Sequence, residues 1–219
     1  MTTRFLQSEL AERPAGECRF QVIPVPYEAT VSYGGGTANG PAAVLEASCQ
    51  LEVWTGRSVP SEQGIYTQAP VNCAGSAETV LDRIENAVRE ALRDGPQGPS
   101  PAAVASLFSP CAPQSCLGAA VIPVVLGGEH TVTLGALRAL KKQYGHFGII
   151  QFDAHADLRD SYEGSPYSHA CVMRRAVDDL GLDLFQVGVR SLSPEEVAFR
   201  AEKHISHLDA RDLRPPRCD

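Results

Sequence analysis

Apolar and polar positions along the chain fall into two alternating kinds of segment. Short apolar runs of strand length cover Phe20 to Val25, Ala119 to Leu126, Phe147 to Phe152, Leu184 to Arg190 and His204 to Leu208. Between them lie segments with helical spacing. Val80, Ile84, Ala87, Val88 and Ala91 share one face of a helix predicted over Ala77 to Arg93, which Ser76 can cap. Gly40-Pro41 opens a helix over Ala42 to Ser48, since proline in the first turn gives up only an N–H that has no partner there. Leu134, Leu137, Ala139 and Leu140 mark a helix over Thr131 to Tyr144, with Arg138, Lys141 and Lys142 on its solvated face. Further helices are expected at Tyr167 to Asp179 and, capped by Ser193, at Pro194 to Lys203. Strand and helix alternate, so the order predicts an α/β fold, a three-layer α/β/α sandwich around a parallel sheet.

Two stretches break the pattern. Tyr27 to Gly40 is turn-rich and contains Gly34-Gly35-Gly36; no Lys-Ser/Thr follows, so it reads as a flexible loop and not as a phosphate cradle. Residues 94–118 are rich in Pro, Gly, Ser and Ala without a period, and read as a loop insertion within a single domain spanning 1–219.

The 219 residues suffice for one domain with a sizeable core. The net charge of −7, with no cluster of Lys or Arg, argues against nucleic acid as a partner. Met1 to Leu10 lacks the apolar centre of a signal peptide, and no apolar run approaches the ~20 residues that cross a bilayer. The expected address is the cytoplasm, with no membrane partner. The 7 cysteines are odd in number and form no Cys-x-x-Cys, so reduced thiols are expected, some of them in the core.

The chemistry is concentrated where two predicted strands end. Gly127-Gly128-Glu129-His130 follows one, and Asp153-Ala154-His155-Ala156-Asp157 follows the next. Parallel sheets gather ligands at the carboxyl ends of their strands. Asp153, His155 and Asp157 stand at i, i+2 and i+4, one face of an extended chain. Together with His130 they make a metal site of mixed nitrogen and oxygen donors. Glu129 reads as support for that site and not as a ligand. His146, His204 and His207 match no motif.

Gly-Gly-Glu-His, then Phe-Asp-Ala-His-Ala-Asp-Leu, then Ser168-His169-Ala170 resembles the ureohydrolase (arginase/agmatinase) family, nearest to the bacterial agmatinases. The resemblance runs from the Pro24–Ser48 region to about Leu208. It implies an arginase-like fold and a dinuclear Mn²⁺ site in which Asp153 bridges both ions. His130 and Asp157 would complete one ion's protein shell, and His155 would bind the other. His169 would be the catalytic proton shuttle. The implied reaction is agmatinase-like: a metal-activated hydroxide attacks a small guanidino substrate, and agmatine gives putrescine and urea, a step of polyamine biosynthesis. Agmatine is preferred because Leu158 to Gly164 and Ser168 to Arg175 look agmatinase-like; arginine, guanidinobutyrate and formiminoglutamate stay open. Family members commonly assemble as homo-oligomers, trimers or hexamers.

The family's later Ser-x-Asp-x-Asp-x-x-Asp-Pro block is not found. His207 to Asp212 carries acids at another spacing. The strand order implied by the resemblance, 2-1-3-8-7-4-5-6, would lack its carboxyl-terminal strands, leaving apolar faces and two unpaired edges. As an isolated polypeptide the chain is therefore expected to release little or no urea, and the alternative expectation is an inactive truncated family member or metal-binding remnant. A weaker one is a zinc amidohydrolase of deacetylase-like architecture.

Overall fold

Strand β1 (Phe20–Val25) is the hub of the first half of the molecule. In this computed structural model, which describes residues 3–96 and 120–213, it pairs in parallel with β2 (Ile65–Thr67) on one side and β3 (Ile122–Gly127) on the other. Five of its six residues are buried. Ile23 and Val25 pack against Val80, Ile84 and Val88 of α2 (Ala77–Asp94) and Val132 of α3 (Val132–Tyr144). The two helices approach closely because α3 carries Gly135 at the crossing: a Cβ there would lie 2.7 Å from the Ile84 side chain and 2.9 Å from the Leu81 carbonyl. Helix α1 (Gly40–Ser48) packs along β1 and β3.

The second half repeats the plan. Strand β4 (Gly148–Phe152), helix α4 (Val172–Asp178), strand β5 (Asp183–Val187), helix α5 (Pro194–Glu202) and strand β6 (Ser206–Leu208) form a parallel sheet in the order β4-β5-β6. Its inner face packs Leu184 against Val172, Met173 and Phe199, and the same cluster takes in Leu81 and Leu134 from the first half. Among the described residues the two halves are therefore joined by helix packing and not by a shared ladder.

The three-stranded orders β2-β1-β3 and β4-β5-β6 are the two outer parts of the order implied by the resemblance. Among the described residues β3 and β4 do not pair, and one face of the second sheet is open. Ile150 and Phe152 are 65% and 79% exposed, beside the part-exposed Phe185 and Leu208. The expected apolar face is present, and among the described residues so are the unpaired edges.

Several boundaries move for local reasons. The strand expected to run to Arg190 stops at Val187, because Gly188 turns the chain at φ 86°. His204, at φ 52°, ends the turn after α5, so β6 begins at Ser206 and not at His204. The helix expected from Tyr167 starts as a short 3-10 turn, His169–Cys171, before α4. Strand β2 leaves no pattern in the sequence, since its three residues are too few to show a period. Most of the expected insertion, residues 97–118, lies outside the described residues. Cys18, Cys49, Cys73 and Cys171 are free thiols, the first and last buried. Among the described residues no helix is long and apolar enough to cross a membrane.

Candidate metal centre

Within each sheet the register aligns the carboxyl ends of the strands: Val25 pairs with Gly127, and Phe152 with Val187. Past β3 the chain passes so close to Tyr27 that a Cβ on Gly128 would sit 2.0 Å from the Tyr27 carbonyl oxygen. Only glycine fits there. The main-chain N–H groups of Gly128 and Glu129 then donate to Val25 and Tyr27, which sets His130 at the rim.

Past β4 the chain leaves the strand after Phe152, and Asp153, His155 and Asp157 are not carried on one extended face. The Asp153 N–H still donates to Val187, and Asp153 Oδ1 accepts the His155 N–H at 2.9 Å, so the chain bends around the carboxylate. Asp157 takes φ 53°, a left-handed conformation that non-glycine residues rarely hold. Its carbonyl accepts the N–H groups of Met173 and Arg174 at the start of α4, and the flanking Ala156 and Leu158 are fully buried. The strained backbone is held from both sides.

His130, Asp153 and Asp157 therefore converge, with one donor atom of each within 4.8 Å of the others. His130 Nδ1 lies 2.5 Å from Asp157 Oδ2 and 3.8 Å from Asp153 Oδ2. His155 is not in this group: its side chain is 66% exposed, and its Nδ1 lies 3.6 Å from Asp153 Oδ1. The two oxygens of Asp153 thus face two different imidazoles, an arrangement that suits a carboxylate shared between two cations. Two carboxylates and an imidazole are a donor set for a hard or borderline divalent ion.

Asp209 and Asp212 are engaged away from this group of donors. Asp209 Oδ1 accepts from Arg200 Nη1 at 3.0 Å, and Asp212 Oδ2 accepts the Asp209 N–H.

Beneath the block runs a buried polar chain. Arg200 donates to Gln186 Oε1 through Nε and Nη2, Gln186 Nε2 donates to Gln151 Oε1 and the Ala156 carbonyl, and Gln151 Nε2 reaches the His155 carbonyl. Glu196, in the capping box that starts α5 with Ser193, also accepts the Leu158 N–H at 3.0 Å. The Gln186 and Glu196 contacts with the block have no local signal in the sequence, because they join residues 30 or more positions apart.

The donors open into a cleft of about 640 Å³ lined also by Tyr33, Arg159, Tyr162 and His169. Tyr162 meets His169 edge-on, with ring centroids 5.8 Å apart, and Arg159 lies over the Tyr162 ring at 5.2 Å. Glu129 is buried behind the cleft. Burial works against its charge, but hydrogen bonds from Thr131, from the Thr30 and Ala29 N–H groups and from the Thr30 hydroxyl outweigh it and hold the carboxyl below its ordinary value. The loop read as flexible is tied down as well: Glu28 accepts from Gly36, Thr37 and Ala38, so the glycine run wraps a carboxylate of its own chain.

Residues 18–218 match the model of the arginase family. The chain belongs to the arginase family. It is 38% identical to an N(1)-aminopropylagmatine ureohydrolase of Synechocystis over 96% of this chain and 63% of that protein. An agmatinase of Pyrococcus horikoshii is 30% identical over 96% of this chain and 65% of its own length. Among solved structures, the agmatine ureohydrolase of Thermoplasma volcanium superposes with a TM-score of 0.73 at 28% identity, covering 97% of this chain and 63% of that one. This arginase-family chain thus spans less than two thirds of the length of these relatives. The expected α/β fold with parallel sheets agrees with them.

Proposed function

We propose that this chain carries the metal-binding and proton-transfer half of a ureohydrolase site, acting on a guanidino compound with an amine tail to release urea. The observation that carries the reading is the convergence of His130, Asp153 and Asp157 at the ends of two parallel strands, with His169 on the same cleft. His130 and Asp157 would hold one ion, His155 the other, and Asp153 would be shared. Manganese suits these donors, with zinc, iron or cobalt as substitutes. A bound divalent ion supplies the Lewis acidity that makes water nucleophilic at neutral pH.

The chain's own residues then divide the work. The carboxylates and imidazoles fix where the nucleophile stands relative to the planar guanidinium. A guanidinium is resonance-stabilised, so attack on its carbon needs that fixed geometry. Departure of the amine requires a proton, and His169, on the cleft wall, would hold one. Tyr162 and Arg159 close that wall beside it.

Agmatine is the first substrate to test. N(1)-aminopropylagmatine is the second, favoured by the 38% identical relative that carries its name. The experiment titrates the protein with Mn²⁺, then measures urea from each compound. Binding of the ion, lost by about 10–100-fold or more in Asp153→Asn, with urea release from at least one compound, is the expected result. Tight binding without urea from either compound assigns the chain to the metal-binding alternative. No binding, with wild type and Asp153→Asn alike, overturns the reading.

A further inference from the structure

The loop around Thr30 and the Gly-Gly-Glu-His block meet at His169, and hydrogen counting there has one solution. Glu129 accepts four hydrogen bonds. Its Oε2 takes the Ala29 and Thr30 N–H groups at 2.7 Å each, and its Oε1 takes the Thr30 and Thr131 hydroxyls at 2.7 Å each. A carboxylate has no hydrogen to give, and a threonine hydroxyl has one. The Thr30 hydrogen is therefore committed to Glu129, and Thr30 Oγ1 can only accept from its other neighbours. Those neighbours both belong to His169, which lies 139 positions along the chain: its main-chain N–H at 3.0 Å and its ring Nδ1, also at 3.0 Å. A bare Nδ1 would set two lone pairs against each other at that distance, and its one other contact among the described residues, the Ser168 hydroxyl, is longer at 3.4 Å.

We infer that Thr30 is a positioning residue that places the hydrogen of the neutral His169 ring on Nδ1, with Glu129 as the anchor that turns the Thr30 hydroxyl. The consequence falls on the opposite nitrogen. Nε2 is left bare in the neutral ring and stands 3.3 Å from Ser32 Oγ. When His169 is protonated, Nε2–H is the hydrogen it can give away, and giving it returns the ring to the tautomer that Thr30 accepts. The role of His169 in the cleft rests on the proposed function above; the tautomer does not. Which ring nitrogen is protonated is set by the hydrogen bond the other makes, and here that bond is traced back to a buried carboxylate next to His130.

The test is the ring ¹⁵N spectrum of the full chain at alkaline pH, with the His169 signals assigned by their loss in His169→Gln. Wild type and Thr30→Ser should both show a protonated Nδ1 and a bare Nε2. Thr30→Val removes the acceptor and should shift the ring toward Nε2–H, the form the free side chain prefers. A wild-type ring protonated at Nε2 overturns the inference. So does a folded Thr30→Val protein with the ring unchanged. If Thr30→Val does not fold, the wild-type and Thr30→Ser spectra decide alone. Urea release by His169→Gln at the wild-type rate would overturn the proton-transfer role of His169 while the spectrum still upheld Thr30 as the group that sets its tautomer.

Discussion

Asp157 joins two demands that pull apart. Its carboxylate is wanted beside His130, and its backbone is held left-handed by the start of α4. A left-handed conformation costs an L-residue with a Cβ about 1–2 kcal/mol, and glycine almost none of it. Asp157→Ala and Asp157→Gly should therefore weaken any divalent-ion binding at this site equally, as measured by titration. The glycine variant should be the more stable of the two by about 1 kcal/mol in urea unfolding. Equal stability would mean that the α4 contacts do not hold this conformation. The residue types at the site were legible from the sequence because metal chemistry uses few side chains, and His130, Asp153 and Asp157 do meet. Their geometry was less so. The i, i+2, i+4 spacing suits an extended chain, but the chain bends after Phe152, and His155 lines the same cleft without joining the other three donors. Thr30 was invisible, since nothing near it in sequence distinguishes it from any loop threonine.

At the level of elements, strand β5 and helix α5 do more than fill space. Gln186 is wholly buried in the strand, and Arg200 is buried on the helix. Each satisfies the other, and Arg200 also pairs with Asp209 at 3.0 Å. Arg200→Leu would strand a buried carboxylate and a buried amide oxygen. A loss of about 3–5 kcal/mol in chemical unfolding is expected, with secondary structure retained under native conditions. A loss below 1 kcal/mol would show that solvent already reaches this chain of side chains. Helices were the easiest elements to read, because the stripe on α2 and the Ser193 cap are local signals. Strand ends were harder. Gly188 and His204 cut them short through backbone turns that an apolar run does not record.

The whole molecule is two half-sheets held by a common helical core, and the rim donors are split between them: His130 follows β3, whereas Asp153 and Asp157 follow β4. No ladder fixes the distance between β3 and β4 among the described residues, so that distance is set by the packing of Leu81 and Leu134 against the second half's cluster and by the Thr30–His169 contact. A divalent ion gripped from both sides would rivet the halves together at the point where the backbone does not. Its free energy of binding then becomes resistance to separation, about 2.7 kcal/mol when the ion is present at 100 times its dissociation constant. Stripping it with a chelator should lower the melting temperature and speed amide exchange first at the carboxyl ends of β3 and β4, while α2 stays protected. Uniform acceleration across both halves would mean that the seam is already closed without the rivet.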